Sequence, residues 1–128
     1  MAKVRDLGAL EAIRLHDAVF GHHVKYSDPG TWEKYDVVIG NDRAFAAGCR
    51  EGKFGYPHLS LAGVLESERG KGLYRELVQE FTERVGREQF TVTTFPDKFP
   101  VMARWVRSKT RKVLVDDGQI LTAVVELS

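Results

Sequence analysis

The chain has 128 residues, of which 43% are hydrophobic, with 19 Lys and Arg against 18 Asp and Glu and a single cysteine. This length suits one hydrophobic core, so residues 1–128 are expected to form one domain, and a net charge of +1 excludes a uniformly polybasic chain while leaving room for a local basic patch. Cys49 alone closes no intramolecular disulfide and builds no cysteine-rich zinc site, and no apolar run reaches membrane-spanning length, so a soluble cytoplasmic protein without membrane association is expected.

After Asp6, an expected N-cap, the apolar residues Ala9, Ala12, Ile13, Val19 and Phe20 recur at roughly helical spacing up to Gly21, which predicts a helix over 7–20. Asp28-Pro29-Gly30 is a turn signal, and residues 22–32 read as a loop or a short irregular helix. The runs 35–39 and 44–49, joined through Gly40-Asn41-Asp42, read as two antiparallel strands. Residues 58–65 are apolar enough for a central strand, in which Gly63 suggests a bulge or a close backbone approach. Leu73, Leu77, Phe81 and Val85 repeat at intervals of four and predict an amphipathic helix closed by Gly86. A strand over 90–95 follows. Asp97 and Pro100 then open a helix whose apolar side is Val101, Met102, Trp105 and Val106. Segments 112–115 and 120–127, around Asp116-Asp117-Gly118, read as a terminal hairpin. This order predicts an α/β or α+β fold, a mixed twisted sheet covered by helices.

The segment richest in chemical information runs from Leu61 through Glu66-Ser67-Glu68-Arg69-Gly70-Lys71-Gly72 into Leu73-Tyr74. A glycine-rich turn opening a helix leaves backbone N–H groups unpaired at the positive end of the helix dipole, which suits a phosphate, and Arg69 and Lys71 add charge at the rim. A Walker A loop is disfavoured, because Leu65 stands where its first glycine belongs and Gly72 follows Lys71. The dinucleotide fingerprint is disfavoured as well, since Arg75 and Glu76 stand where its third glycine would be.

The segment resembles the coenzyme-A loop of the GNAT superfamily of N-acyltransferases, whose pattern is Arg/Gln-x-x-Gly-x-Gly/Ala between the fourth strand and the next helix. Arg69 and Gly72 match, Gly70 and Lys71 match the frequent Arg-Gly-x-Gly form, and Tyr74 departs at the last position. The order of elements resembles that family over nearly the whole chain. The resemblance implies a mostly antiparallel sheet of about six to seven strands, with the fourth and fifth strands splayed around the cofactor, which would suit a bulge near Gly63. It implies acetyl-CoA or another acyl-CoA as co-substrate. Backbone groups of Val64 and Leu65 would meet the pantetheine arm, and Arg69, Gly70, Lys71, Gly72, Leu73 and Tyr74 would hold the pyrophosphate. The expected activity is transfer of an acetyl group to a small-molecule or protein amine by direct attack in a ternary complex.

Many members carry a tyrosine acid on the helix after the fifth strand. That position falls at Val106, and the predicted helix holds no tyrosine. For the general base, Glu66 at the strand end and His58 at its other end are the candidates. His23, Tyr26 and Trp32 are candidates for the acceptor pocket, because the family's acceptor site involves the region between the first two helices. Cys49 reads as a small buried residue. His16, His22 and His23 lack metal-binding spacing and read as exposed loop histidines, so no metal is expected.

Between residues 98 and 112 lie Lys98, Arg104, Arg107, Lys109, Arg111 and Lys112 with no acidic residue, which leaves the remainder net acidic. Arg104, Arg107 and Arg111 share a helical spacing. A solvated helix face explains them. A nucleic-acid contact in which Arg104 and Arg107 meet the substrate is the alternative, and a catalytically inactive coenzyme-A-binding or protein-interaction module is a third reading. The terminal hairpin offers an edge for a homodimer.

Overall fold

A computed structural model describes residues 3–127. Seven strands form one sheet in the order β1-β2-β3-β4-β5-β7-β6. They are β1 (Arg5–Asp6), β2 (Val37–Gly40), β3 (Ala44–Cys49), β4 (His58–Val64), β5 (Gln89–Thr94), β6 (Thr110–Asp116) and β7 (Leu121–Glu126). The helices are α1 (Ala9–Phe20), α2 (Pro29–Trp32), α3 (Leu73–Val85) and α4 (Pro100–Lys109), with 3-10 turns at Val24–Ser27 and Glu66–Glu68. Every strand pair is antiparallel except β4 with β5. Among the described residues no helix is long and apolar enough to cross a membrane.

Both faces of the sheet are covered, and the alternation of β3 shows how. Ala44 and Ala46 face a core built with Leu77 and Phe81 of α3 and Val106 of α4. Phe45 and Ala47 face a second core with Ala12 and Leu15 of α1 and Trp32 of α2. All four of these β3 residues are wholly buried, as expected of a strand sandwiched between helical layers.

Several expected boundaries move. Asp6 is not the N-cap of α1: it belongs to β1, and Gly8 precedes the helix. Arg5 and Asp6, ahead of the expected helix, form an edge strand because they pair with Gly40 and Ile39, and the helix begins at Ala9 and not at residue 7. The apolar side of α4 consists of Ala103 and Val106, backed by Met102 and Trp105, whereas Val101 is 69% exposed.

The bulge lies at Ser60 and not at Gly63. Ala47 pairs with Leu61 and Gly48 with Leu59, so Ser60 is the extra residue on β4. Gly48 permits this, since a Cβ there would stand 2.3 Å from the His58 carbonyl oxygen and 2.8 Å from the Phe81 ring. Gly63 is instead a close approach of side chains, where a Cβ would meet Val19 at 2.8 Å and Phe45 at 3.0 Å. The bulge bends β4 at the point where it leaves its parallel neighbour. His58 pairs with Thr91 and Leu59 with Val92, and beyond those two pairs the strands diverge.

Candidate active site

The divergence of β4 and β5 leaves one edge of β4 without a strand partner. The Leu65 N–H donates to the Arg43 carbonyl at 2.9 Å, on the β3 side. Because backbone groups alternate along a strand, Val64 and Ala62 turn theirs toward the gap. The Val64 carbonyl accepts from Arg69 Nε at 3.2 Å, a clasp that folds the loop back over the strand end. Val64 thus turns its backbone N–H toward the gap, whereas the Leu65 N–H is held by β3.

The loop enters α3 through Gly70 and Gly72, at φ +82° and +81°. Side chains other than glycine avoid this left-handed region, and a Cβ at either position would meet nothing within 4 Å. The first helical bond runs from the Glu76 N–H to the Gly72 carbonyl, so the N–H groups of Leu73, Tyr74 and Arg75 have no intrahelical acceptor. Lys71 Nζ donates to Glu68 at 2.9 Å, and Arg43 stands 3.7 Å from the same carboxylate, holding it below the usual carboxylate range together with Lys71.

Two cavities open along the gap. The larger, about 630 Å³, is lined by Arg69, Gly70, Gly72, Leu73 and the α4 start, among others. The smaller, about 390 Å³, is lined by His16, His23 and Tyr26 from one side and by β4, β5 and Phe95 from the other. Both share a wall of Phe20, Ala62, Tyr74, Lys98, Phe99 and Met102. Tyr74 is central to that wall. Its hydroxyl donates to Met102 Sδ at 3.3 Å, its ring meets Trp105 edge-on at 5.0 Å, and burial pushes its phenol well above the usual range. The residue that departs from the loop pattern therefore points inward, against α4. A hydroxyl absent from α4 in sequence arrives there from α3.

His16, expected to be exposed, is buried on α1, at 4% exposure. Its ring lies 4.4 Å from Tyr26, 5.0 Å from Phe20 and 6.0 Å from both Trp32 and Phe45, and its Nδ1 is buried without a hydrogen-bond partner. Desolvation lowers its pKa from the ordinary value. The sequence signal for this residue was present: Ala12, His16 and Phe20 share one helical stripe at intervals of four.

The other candidates divide. His23 and Tyr26 line the smaller cavity, and Trp32 does not. Trp32 is buried behind them, donating its Nε1 to the Tyr26 carbonyl at 3.0 Å. Glu66 is exposed in the 3-10 turn and lines neither cavity. His58 lies at the closed end of the gap, its Nδ1 2.7 Å from the Thr91 hydroxyl, with its pKa lowered by burial. It too lines neither cavity. Lys71 is exposed at the loop rim.

The residues of the basic segment have different partners. Lys98 enters both cavities, Arg107 pairs with Asp116 at 3.4 Å, Arg111 lies 3.6 Å from Glu126, and Lys109 donates to the Leu127 carbonyl. Arg104 and Arg107 line neither cavity. Among the described residues no group of three or more His, Cys, Asp or Glu is gathered as a metal ion would require.

In sequence, neither a family model nor a curated protein matches the chain. In structure, it is similar to the GNAT-family acetyltransferase from Bacillus cereus, at TM-score 0.71 and 14% identity, with 100% of this chain and 99% of that one covered. The PaiA N-acetyltransferase of Thermoplasma acidophilum, solved in complex with coenzyme A, aligns at TM-score 0.67 and 12% identity over 99% of this chain and 100% of that one. The ribosomal-protein-S18-alanine N-acetyltransferase of Escherichia coli aligns at TM-score 0.64 and 13% identity, covering 100% of this chain and 96% of that one. The chain has the fold of the GNAT acetyltransferases.

Proposed function

We propose that this protein transfers an acetyl group from acetyl-CoA to an amine by direct attack within a ternary complex. The observation that carries the reading is the loop of Gly70 and Gly72 at the mouth of the larger cavity, where three unbonded helix N–H groups and Arg69 converge on open space. A pyrophosphate fits such a site by charge and by hydrogen bonding. Lys71 and Arg43 offset the nearby Glu68. Ala62 and Val64 then take the pantetheine arm along the open edge of β4, much as a strand would pair there. The coenzyme A in the Thermoplasma structure is consistent with this assignment.

Acyl-CoA supplies an activated thioester, and the chain's own task is to orient it, receive the amine and stabilise the departing sulfur. Tyr74 stands on the wall between the two cavities and stays protonated at any working pH, because burial raises its phenol. In this reading its hydroxyl turns from Met102 to donate to the leaving sulfur. The larger cavity holds the donor and the smaller one the acceptor.

Calorimetric titration with coenzyme A tests the donor half, and release of free thiol from acetyl-CoA across a panel of amines tests the transfer. Saturable binding with amine-dependent thiol release is the expected result. Binding with no release would identify a coenzyme-A-binding module, and no binding would remove the cofactor assignment altogether.

A further inference from the structure

Of the two histidines that line the smaller cavity, His16 is the buried one and His23 is exposed. The His16 Nδ1 is buried without a hydrogen-bond partner, which is unfavourable for a ring nitrogen. Around it the cleft is aromatic: Tyr26 lies against the imidazole at 4.4 Å, Phe20 at 5.0 Å, and Phe20 in turn meets Phe99 edge-on at 6.3 Å. Among the described residues no Asp or Glu lines this cavity, and Lys98 is its one Lys or Arg. A polycationic amine would therefore meet a positive charge and no counter-charge. A single ammonium on an aromatic or apolar body instead finds ring faces for its charge and apolar surface for its body.

Resting on the transferase reading above, we propose that the acceptor is an aromatic or compact apolar primary monoamine, bound beside Tyr26 and Phe20, and that the His16 imidazole removes its proton. The cleft meets the donor cavity at Ala62 and Tyr74, so an amine beside His16 approaches the thioester from across that shared wall. His16 takes one proton from the ammonium. The freed lone pair then forms the C–N bond to the thioester carbon as the C–S bond breaks, the second N–H proton ends on the coenzyme A sulfur, and His16 passes its proton to water. Desolvation keeps the imidazole neutral and receptive near neutral pH. The groups that bear on it are Asp17, which favours its protonated form, His23, which opposes it, the tilted ring of Tyr26, and Lys98 and Tyr74 across the cleft. From α2 and β3 it meets only Trp32 and Phe45.

The test follows thiol release by the full chain with acetyl-CoA and either 2-phenylethylamine or spermidine, from about pH 5 to about pH 9, for wild type, His16→Gln and His16→Phe, with coenzyme A affinity measured alongside. The expected result is a preference for 2-phenylethylamine of about tenfold or more, and a fall in its kcat/KM of about 10²-fold or more in both variants at unchanged coenzyme A affinity. Wild type should show an inflection below the ordinary histidine range that both variants lack. His16→Phe preserves a packed ring should the glutamine variant fail to fold. A preference for spermidine, retention of the inflection in a folded variant, or coenzyme A binding with turnover of neither amine would overturn the proposal. Failure of wild type to bind coenzyme A would instead overturn the transferase reading on which it rests.

Discussion

The Tyr74 hydroxyl donates to the Met102 sulfur at 3.3 Å, which ties the second residue of α3 to the third residue of α4 across the wall shared by two cavities. A hydroxyl bonded to a thioether is held in place yet weakly committed, since sulfur is a poor acceptor. Tyr74→Phe should therefore change stability by less than about 1 kcal/mol and leave coenzyme A affinity within about threefold, while lowering kcat by about 10²-fold. Thermal melting, calorimetry and steady-state kinetics on the one variant check all three, and an unchanged kcat would remove Tyr74 from the chemistry.

Gly72 and Gly86 stand at opposite ends of α3, at φ +81° and +70°, with nothing within 4 Å of a Cβ at either. Alanine should destabilise the chain by about 1–2 kcal/mol at each position for the same backbone reason. Only Gly72 lines the donor cavity, so only Gly72→Ala should weaken coenzyme A, by about tenfold, which corresponds to about 1.4 kcal/mol. Equal affinity losses in the two variants, measured by calorimetry, would trace the effect to the helix and not to the loop.

Gly63 faces Val19 at 2.8 Å, Phe45 at 3.0 Å and Phe20 at 3.2 Å from the place a Cβ would occupy. Gly63→Ala should destabilise by about 1–3 kcal/mol through overpacking. Because Phe20 belongs to the wall between the cavities, the same change should also raise the KM for the amine. Melting curves and amine saturation together check this.

His16 and His58 both titrate below their ordinary value near 6.5 because burial disfavours the charged ring. Below pH 6.5 the unfolded chain binds protons that the folded chain does not, so stability is full above this range and declines as pH falls through it toward the lowered values. Glu11, held at about 2 chiefly by its hydrogen bond to Arg5 at 2.5 Å, loses its contribution only at much more acidic pH. Melting temperature should be level above about pH 7 and drop below about pH 6. His58→Asn should flatten part of that drop, and a level profile in wild type would contradict the linkage.

Arg107 is half exposed and pairs with Asp116 at 3.4 Å, and neither Arg104 nor Arg107 lines a cavity. The double change Arg104→Gln and Arg107→Gln should shift stability by less than about 1 kcal/mol and leave coenzyme A affinity and amine kinetics within about twofold. A mobility-shift assay at low salt checks the nucleic-acid alternative directly, and salt-sensitive binding lost in the double variant would restore it.

Much of the fold was readable along the chain because it depends on local periodicity. The fourfold spacing of Leu73, Leu77 and Phe81 placed α3, and Gly86 closed it where expected. The loop too was legible, because its glycines answer a backbone requirement that is written residue by residue. Strand β1 was not legible: two residues carry no period, and only their pairing with Ile39 and Gly40 makes them a strand. The bulge was misplaced for a related reason. Ser60 is the extra residue because of how Gly48 and Leu59 register across β3 and β4, and neither strand shows this alone.

The order of elements, the glycine turn before α3 and the chemistry a phosphate would meet there are all properties of neighbours along the chain, and so could be read from it. Which side chains face the reaction was decided only in three dimensions. Glu66, near the loop in sequence, lines neither cavity. His16, distant from it and grouped with exposed histidines, is buried in the wall of one, and Tyr74 reaches across to α4. A cleft between diverging strands is built from residues far apart in the chain, and its burial, its unpaired ring nitrogen and its lack of carboxylates exist only once α1 has closed over the sheet.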